Sequence, residues 1–347
     1  TVSYFDISKR LWWGAVASFE DHYFYPWFVS WGFNPYGQPA LDPVLYELRF
    51  KRTKLDVILQ YPLDLCHRLE FSVSGISVKY QHLDWQAYAD MCAAEAENPT
   101  QEFYFSYWQE TGGSLEDYVA YMVSARDSYG LRADFLKKYI NDGKFLTFNL
   151  AFVRDTALYK QFGPFTNDMY RIDLSWSTGG YNAMISGEAR KYLRLGSESA
   201  FAIRGYAGAQ FGKTINPWII GDLGELRGYQ WMQFMGNRIW MTNIELRFPL
   251  TKNFNLLGMY LGDIRAALFM DLAKIWFDDR RFNALNVDDV NPGLIKGSVG
   301  IDVSMPFTLW IFGSELHLAV SKRMTTVKFL PKLEDKWQIK LYFGYSF

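Results

Sequence analysis

The chain has 347 residues, with 36 basic and 37 acidic side chains and a formal net charge of -1. A protein that binds the phosphate backbone of nucleic acid carries a basic surplus, so this balance argues against a nucleic-acid partner. No stretch of about 18 apolar residues is present, which excludes a helical membrane protein.

Aromatic residues make up 18% of the chain, from 28 Phe, 23 Tyr and 13 Trp. So many aromatic residues without long apolar runs are typical of a transmembrane β-barrel. There, alternate residues face lipid, and Trp and Tyr lie at both membrane interfaces. The composition therefore favours an all-β protein whose first partner is the lipid of an outer membrane.

The C-terminal segment shows the strand period most clearly. From Trp337 to Phe347 every odd position is apolar or aromatic, whereas the even positions are mostly polar or small. About 11 residues is the length that a tilted strand needs to cross a bilayer. We interpret Tyr345 and Phe347 as the aromatic signal of a terminal barrel strand.

The same alternation recurs along the chain and predicts an antiparallel barrel over residues 1–83 and 144–347. About 13 strands are predicted, at residues 2–8, 11–22, 44–62, 67–81, 144–157, 168–177, 181–193, 198–211, 237–249, 262–277, 295–306, 309–323 and 336–347. The polar face of these strands carries too many charges for a packed core, so it is predicted to line a polar lumen.

The connections between the predicted strands differ in length, as they do in barrels with short periplasmic turns and long extracellular loops. If the C-terminal end is periplasmic, the short turns near residues 8–10, 62–67, 195–199 and 306–308 are periplasmic too. The long connections 23–43, 83–143, 212–236, 278–294 and 324–335 are then extracellular.

Residues 84–143 do not have a strand pattern. Residues 84–97 are rich in helix formers, and Ser114 opens a second helical run with a capping-box-like start. We predict a small helical insertion on the extracellular side.

The two cysteines cannot form a disulfide framework. Cys66 belongs to a predicted periplasmic turn and Cys92 to the insertion. Because about 30 Å of membrane separates these two sides, we predict that the two cysteines are not bonded to each other. No signal peptide precedes Thr1, so we expect a mature form or a fragment whose export signal lay upstream.

A specific motif lies in the long connection 212–236. Leu226-Arg227-Gly228-Tyr229 is followed by a strand that contains Glu245 and then by one that contains Asp271. Together with the aromatic terminal strand, this arrangement resembles the bacterial surface antigen family of BamA-like outer-membrane barrels.

The resemblance implies a barrel of about 16 strands whose folded-back loop carries the Arg-Gly-aromatic motif into the lumen. It also implies that Arg227 meets the carboxylate of Asp271, with Glu245 as a second candidate. Both acids lie on the predicted polar face of their strands, and a shielded guanidinium favours a carboxylate of matching geometry.

Upstream segments extend the resemblance to a subset of the family whose barrels follow a periplasmic β-propeller. These segments are residues 61–70, 152–158 with Gly163 and Pro164, and 189–196. Counting back from Phe347, about three strands of the family barrel are unaccounted for. Either strands precede Thr1 or another chain fills the barrel seam.

The resemblance implies that the protein acts in the insertion, assembly or translocation of client proteins at the bacterial outer membrane, without a cofactor. The alternative is a structural barrel that anchors a multi-protein surface or secretion complex. A lumen enzyme or a porin is a third, weaker reading, because the four histidines are scattered and no nucleophile motif accompanies them. The sequence also contains no metal-binding Cys/His spacing.

Overall fold

The computed structural model describes residues 1–7, 10–24, 27–33, 39–45, 48–82, 84–99, 114–160, 163–221, 225–230, 233–256, 259–286, 294–309, 312–327 and 330–344. The strands are β1 Val2–Asp6, β2 Trp12–Phe24, β3 Trp27–Phe33, β4 Pro39–Leu45, β5 Leu48–Pro62, β6 His67–His82, β7 Gly143–Asp155, β8 Leu158–Lys160, β9 Gly163–Ser177, β10 Ala183–Arg194, β11 Ala200–Phe211, β12 Trp218–Ile220, β13 Phe234–Gly236, β14 Arg238–Leu256, β15 Met259–Trp276, β16 Lys296–Leu309, β17 Phe312–Val327 and β18 Leu330–Gly344. The helices are α1 Trp85–Glu97 and α2 Leu115–Tyr139, and two short 3-10 helices span Thr178–Gly180 and Arg280–Leu285.

One antiparallel sheet dominates the molecule. It has 14 strands, arranged in the order β1-β2-β5-β6-β7-β9-β10-β11-β14-β15-β16-β17-β18, with β8 paired to β9. The hairpins β3–β4 and β12–β13 form separate two-stranded sheets. Within the described part of the chain β1 and β18 are the two edges of the sheet, and they do not pair with each other.

The two faces of the sheet differ in polarity, as the alternation predicts. On β9, Ile172, Leu174 and Trp176 are exposed on the outer face, whereas Arg171 and Asp173 on the inner face form an ion pair of 2.7 Å. In a barrel the outer face contacts hydrocarbon and the inner face lines the lumen, so this pattern suits a membrane-spanning wall.

All thirteen strands expected from the alternation are present as consecutive members of this sheet. Three predicted connections are wrong. The predicted loop 324–335 is largely strand in β17 and β18, the predicted turn 306–308 lies inside β16, and the predicted loop 23–43 contains β3 and most of β4.

The first two of these errors share a physical cause, whereas β3 and β4 form a separate two-stranded sheet. About 9–11 tilted residues cross the hydrocarbon core, but β14 has 19 residues and β17 has 16. Beyond the hydrocarbon both faces of a strand meet water. The apolar alternation is lost there although the backbone pairing continues.

The helical insertion is two helices, each with a side-chain cap. Asp84 accepts a hydrogen bond from the backbone N–H of Ala87, and Ser114 accepts one from Asp117. Within the described chain neither helix is long and apolar enough to cross a membrane. Cys92 is buried in this insertion, and both it and Cys66 are free thiols, as predicted.

The C-terminal end of α2 packs on the connection that follows β15. Tyr139 forms an aromatic cluster with Phe277 and Phe282, all of them buried. At the rim of this cluster Lys138 pairs with Asp279 at 2.8 Å. We call this end of the sheet the insertion end and the opposite end, where the 63–66 turn joins β5 to β6, the turn end.

Candidate functional site

The connection between β11 and β14 folds back into the lumen rather than extending away from the sheet. Its hairpin β12–β13 and the tip Leu226–Tyr229 form a core with inner residues of β14 and β15. Leu226 and Tyr229 are 0% and 5% exposed, and Arg227 is 3% exposed. The predicted motif residues therefore lie together at a buried position.

The guanidinium of Arg227 is held by two carboxylates from neighbouring strands. Its Nε and Nη2 atoms donate to the two oxygens of Asp271, each at 2.8 Å, and its backbone N–H donates to Asp271 at 3.1 Å. Nη1 lies 2.7 Å from Glu245. Such a fork-to-fork pair fixes direction as well as distance, and lysine could not reproduce it.

A second layer of polar groups surrounds these carboxylates. Asn243 donates to Asp271 at 2.9 Å and to the backbone oxygen of Glu225 at 2.8 Å, so it joins the loop to β14. Arg247 donates to Glu245 at 2.8 Å. Each buried charge therefore has a partner, which the high cost of burying an unpaired charge requires.

The network continues to β16 and β17. Asp302 lies 3.7 Å from Arg227, and both of its oxygens are 3.1 Å from Nδ1 of His317. The ring of Phe269 lies under the Arg227 guanidinium, 3.7 Å from its centre, in a cation–π contact. No motif in the sequence connects Asp302 or His317 to Arg227.

The loop tip is also tied to the last two strands through its backbone. Arg323 donates to the carbonyl oxygen of Gly228 at 2.7 Å, and Lys340 on the edge strand β18 donates to the carbonyl oxygen of Tyr229. The Tyr229 hydroxyl donates to the carbonyl oxygen of Gly297 at 3.2 Å.

Glycine is required at the tip. Gly228 has a φ of +89°, and a Cβ there would lie 2.9 Å from Oγ of Ser321. A side chain would therefore be strained by the backbone conformation and by the approach of β17.

The site has the features of a structural clasp. In the described ranges no group of three or more His, Cys, Asp or Glu side chains is placed to hold a metal ion. Every contact of Arg227 named above fixes the position of the loop relative to β14–β16. The other predicted residues, Tyr345 and Phe347, lie outside the described residues.

Comparison with known proteins identifies the family. The Omp85 superfamily domain matches residues 9–307. The chain belongs to the Omp85 superfamily. It is accordingly an outer-membrane β-barrel protein, and the resemblance to BamA-like barrels drawn from the sequence is confirmed.

Among solved structures, this Omp85 chain is similar to BamA from Haemophilus ducreyi lacking POTRA domains 1–3. The TM-score is 0.60 at 14% identity, over 99% of this chain and 61% of that one. CdiB from Escherichia coli matches with a TM-score of 0.45 at 11% identity, over 96% and 48% of the two chains. The Omp85 chain thus spans about three fifths of the first structure and about half of the second. No curated protein is similar enough to count as a match.

These likenesses show the fold and leave the finer assignments open. Membership of the subset that follows a β-propeller stays a prediction, and so does the extracellular position of the insertion.

Proposed function

We propose that this Omp85 barrel inserts or assembles client proteins in the outer membrane, using the edge of its sheet as a template for client strands. The observation that carries the proposal is the lumen loop, whose tip is bound both to Asp271 and Glu245 and to the strands beside one sheet edge. The protein would act by strand pairing, not by covalent chemistry.

The edges of the sheet support this mechanism. In the described chain β18 has one hydrogen-bonded neighbour, β17. An unpaired strand edge is costly in hydrocarbon, so it pairs readily with another strand. Pairing of an added strand through backbone hydrogen bonds would accept clients of many sequences.

The filling of the lumen favours this lateral route over translocation through the barrel. The loop tip is buried against the inner wall at the level of Asp271, and α2 packs across the insertion end. A client passing through the lumen would have to displace both, whereas a client at the edge displaces neither.

The proposal is tested with the full-length protein in proteoliposomes. A small unfolded outer-membrane β-barrel protein is added, and its folded fraction is followed by heat-modifiable gel mobility. We expect the Arg227→Ala variant to fold the client several-fold more slowly than the unchanged protein. The Lys144→Gln variant, altered at an exposed position of β7, should keep the full rate.

The alternative is a structural barrel that anchors a multi-protein complex, with a partner chain in the seam. It predicts that client folding is no faster than in empty liposomes, and that purification from native membranes recovers a second chain cross-linked to β18. That pair of results would overturn the insertion proposal.

A further inference from the structure

The inner wall near the insertion end is apolar, in contrast to the rest of the lumen. Ile76 and Val78 on β6, Phe145 on β7 and Met184 on β10 occupy inner positions of their strands. Inner positions of outer-membrane barrels are normally polar. Closer to the turn end, the inner positions of this wall carry ion pairs, such as Glu188 with Arg204 at 2.6 Å.

This apolar wall borders a cavity of about 450 Å³ between the lumen loop and strands β5–β7. The insertion roofs the cavity with Trp85, Phe135 and Leu136. The lining also includes polar groups such as Ser74 and Thr147. The volume lies in the range of sites for small molecules, roughly 300–1,000 Å³, and the mixture of apolar wall and few polar groups is typical of them.

The charged side chains that line the cavity are all basic. Arg52, Lys54 and Arg132 line it, and among the described lining residues there is no aspartate or glutamate. Arg52 and Lys54 pair with Glu20 and Asp56, neither of which lines the cavity. Basic side chains, and no acidic ones of the described residues, therefore face the cavity, which favours an anionic group inside it.

The third cation is held on an aromatic support. Arg132 is 6% exposed, and its guanidinium lies 5.5 Å from the rings of both Trp85 and Tyr129. This position keeps a positive charge beside the apolar roof. A purely apolar ligand would make no favourable electrostatic interaction with that charge.

We propose that this cavity binds an anionic amphiphile, a molecule with one acidic headgroup and a short apolar chain. The headgroup lies toward Arg52 and Lys54, and the chain packs on Ile76, Phe145 and Phe135. This site is separate from the Arg227 clasp and does not depend on the proposed assembly function.

The test uses octanoate as the probe and isothermal titration of the full-length protein in phosphatidylcholine nanodiscs, with empty nanodiscs as the blank. We expect one saturable site for octanoate. Octan-1-ol has the same chain without the charge. Its affinity should be lower by about tenfold or more, because the charge-assisted hydrogen bonds are lost.

Variants locate the site. Lys54→Gln and Arg52→Gln should each weaken octanoate binding by about tenfold, whereas Lys144→Gln, on the outer face of β7, should not change it. Met184→Trp fills the cavity from the wall and should abolish binding. Heat-modifiable gel mobility and thermal melting show which variants remain folded.

The source of a natural ligand is distinguished by repeating the titration in nanodiscs that contain phosphatidylglycerol. Competition with octanoate identifies a membrane lipid as the ligand, and unchanged affinity identifies a free amphiphile. No saturable binding to the folded protein, equal binding of octanoate and octan-1-ol, or full binding by the folded Met184→Trp variant would overturn the proposal.

Discussion

At the scale of single residues, the guanidinium of Arg227 decides how the lumen loop is held. It is 3% exposed, and it joins a loop to two strands through Asp271 and Glu245. A buried ion pair of this kind adds little net stability over an apolar packing, but removing one partner leaves the other charged and unpaired.

The Arg227→Ala variant should therefore lower the free energy of unfolding by about 3–5 kcal/mol. The double variant Arg227→Ala/Asp271→Ala should lose less free energy of unfolding than the sum of the losses of the two single variants. The reason is that the second substitution removes a carboxylate that has already lost its partner. Urea unfolding followed by tryptophan fluorescence measures both. Arg126→Ala, at an exposed ion pair of α2, serves as the control, with an effect within about 0.5 kcal/mol. Additive losses would show that Arg227 and Asp271 do not act as a pair.

The centre of this site is predictable from the sequence, but the residues around it are not. Arg227, Asp271 and Glu245 follow from a motif and from the polar faces of two adjacent strands. Asp302 and Arg323 depend on the register of β16 and β17, and no local pattern encodes that register. Their contacts with the tip span 75 and 95 residues of chain.

At the scale of elements, the insertion is fixed to the connection after β15 by an exposed ion-pair cluster. Hydrogen bonds from Arg281 and Lys138 hold the pKa of the Asp279 carboxyl well below its ordinary value of 3.8. The same contact raises the pKa of Lys138. Asp134 faces Arg281 at 3.6 Å from the side of α2.

This cluster predicts a pH dependence for the docking of α2. The pKa of Asp279 is lower in the docked state than in the free chain, so the stabilisation is complete above about pH 4 and is lost as the pH falls below that value. Hydrogen exchange of residues 134–140, corrected for intrinsic rates, should be a few-fold faster at pH 3 than at pH 6. In Asp279→Asn the difference should be much smaller, whereas Asp127→Asn should behave as the unchanged protein. Equal protection at both pH values would contradict this account.

The edge strand β18 depends on a second contact besides its pairing with β17. Lys340 fastens it to the loop tip through the carbonyl oxygen of Tyr229. We expect Lys340→Met to raise hydrogen exchange at Ile339 and Leu341 by about tenfold, since one charge-assisted hydrogen bond is lost.

The matched control is Lys322→Met. Lys322 lies on the neighbouring strand β17 and contacts β18 on the outer face, where its Nζ is 5.4 Å from the centre of the Trp337 ring, and it does not contact the loop tip. Equal acceleration by both changes would mean that the loop tip does not support the edge strand.

The elements themselves were largely predictable. Period-2 alternation identified thirteen of the fourteen strands of the main sheet, all except the short β8, because lipid and lumen impose opposite polarity on the two faces. The hairpins β3–β4 and β12–β13 lie outside that wall, so the rule does not apply to them. The two helices were found from composition and from the cap at Ser114.

At the scale of the whole molecule, the sheet order places the insertion and the 63–66 turn at opposite ends of the wall. This arrangement predicts that they lie on opposite sides of the outer membrane. In a background with Cys66→Ser and Cys92→Ala, a cysteine introduced at Asp127 should react with a membrane-impermeant maleimide on intact cells. A cysteine introduced at Leu65, which is fully exposed in the turn, should react only after permeabilisation. The reverse pattern would invert the topology.

The position of the lumen loop in the chain also sets the order in which the barrel can be completed. The partners that hold its tip lie downstream: Asp271 is 44 residues further along, Arg323 is 95 from Gly228, and Lys340 is 111 from Tyr229. Contacts of such separation form late, because the loop-closure entropy must be overcome before they can stabilise anything. The contacts of the tip with Arg323 and Lys340 can therefore form only once the last strands have paired, whereas Glu245 and Asp271 lie on the two strands that follow the loop. We expect these two contacts of the tip to be among the last to form, so that they distinguish a complete sheet from an incomplete one.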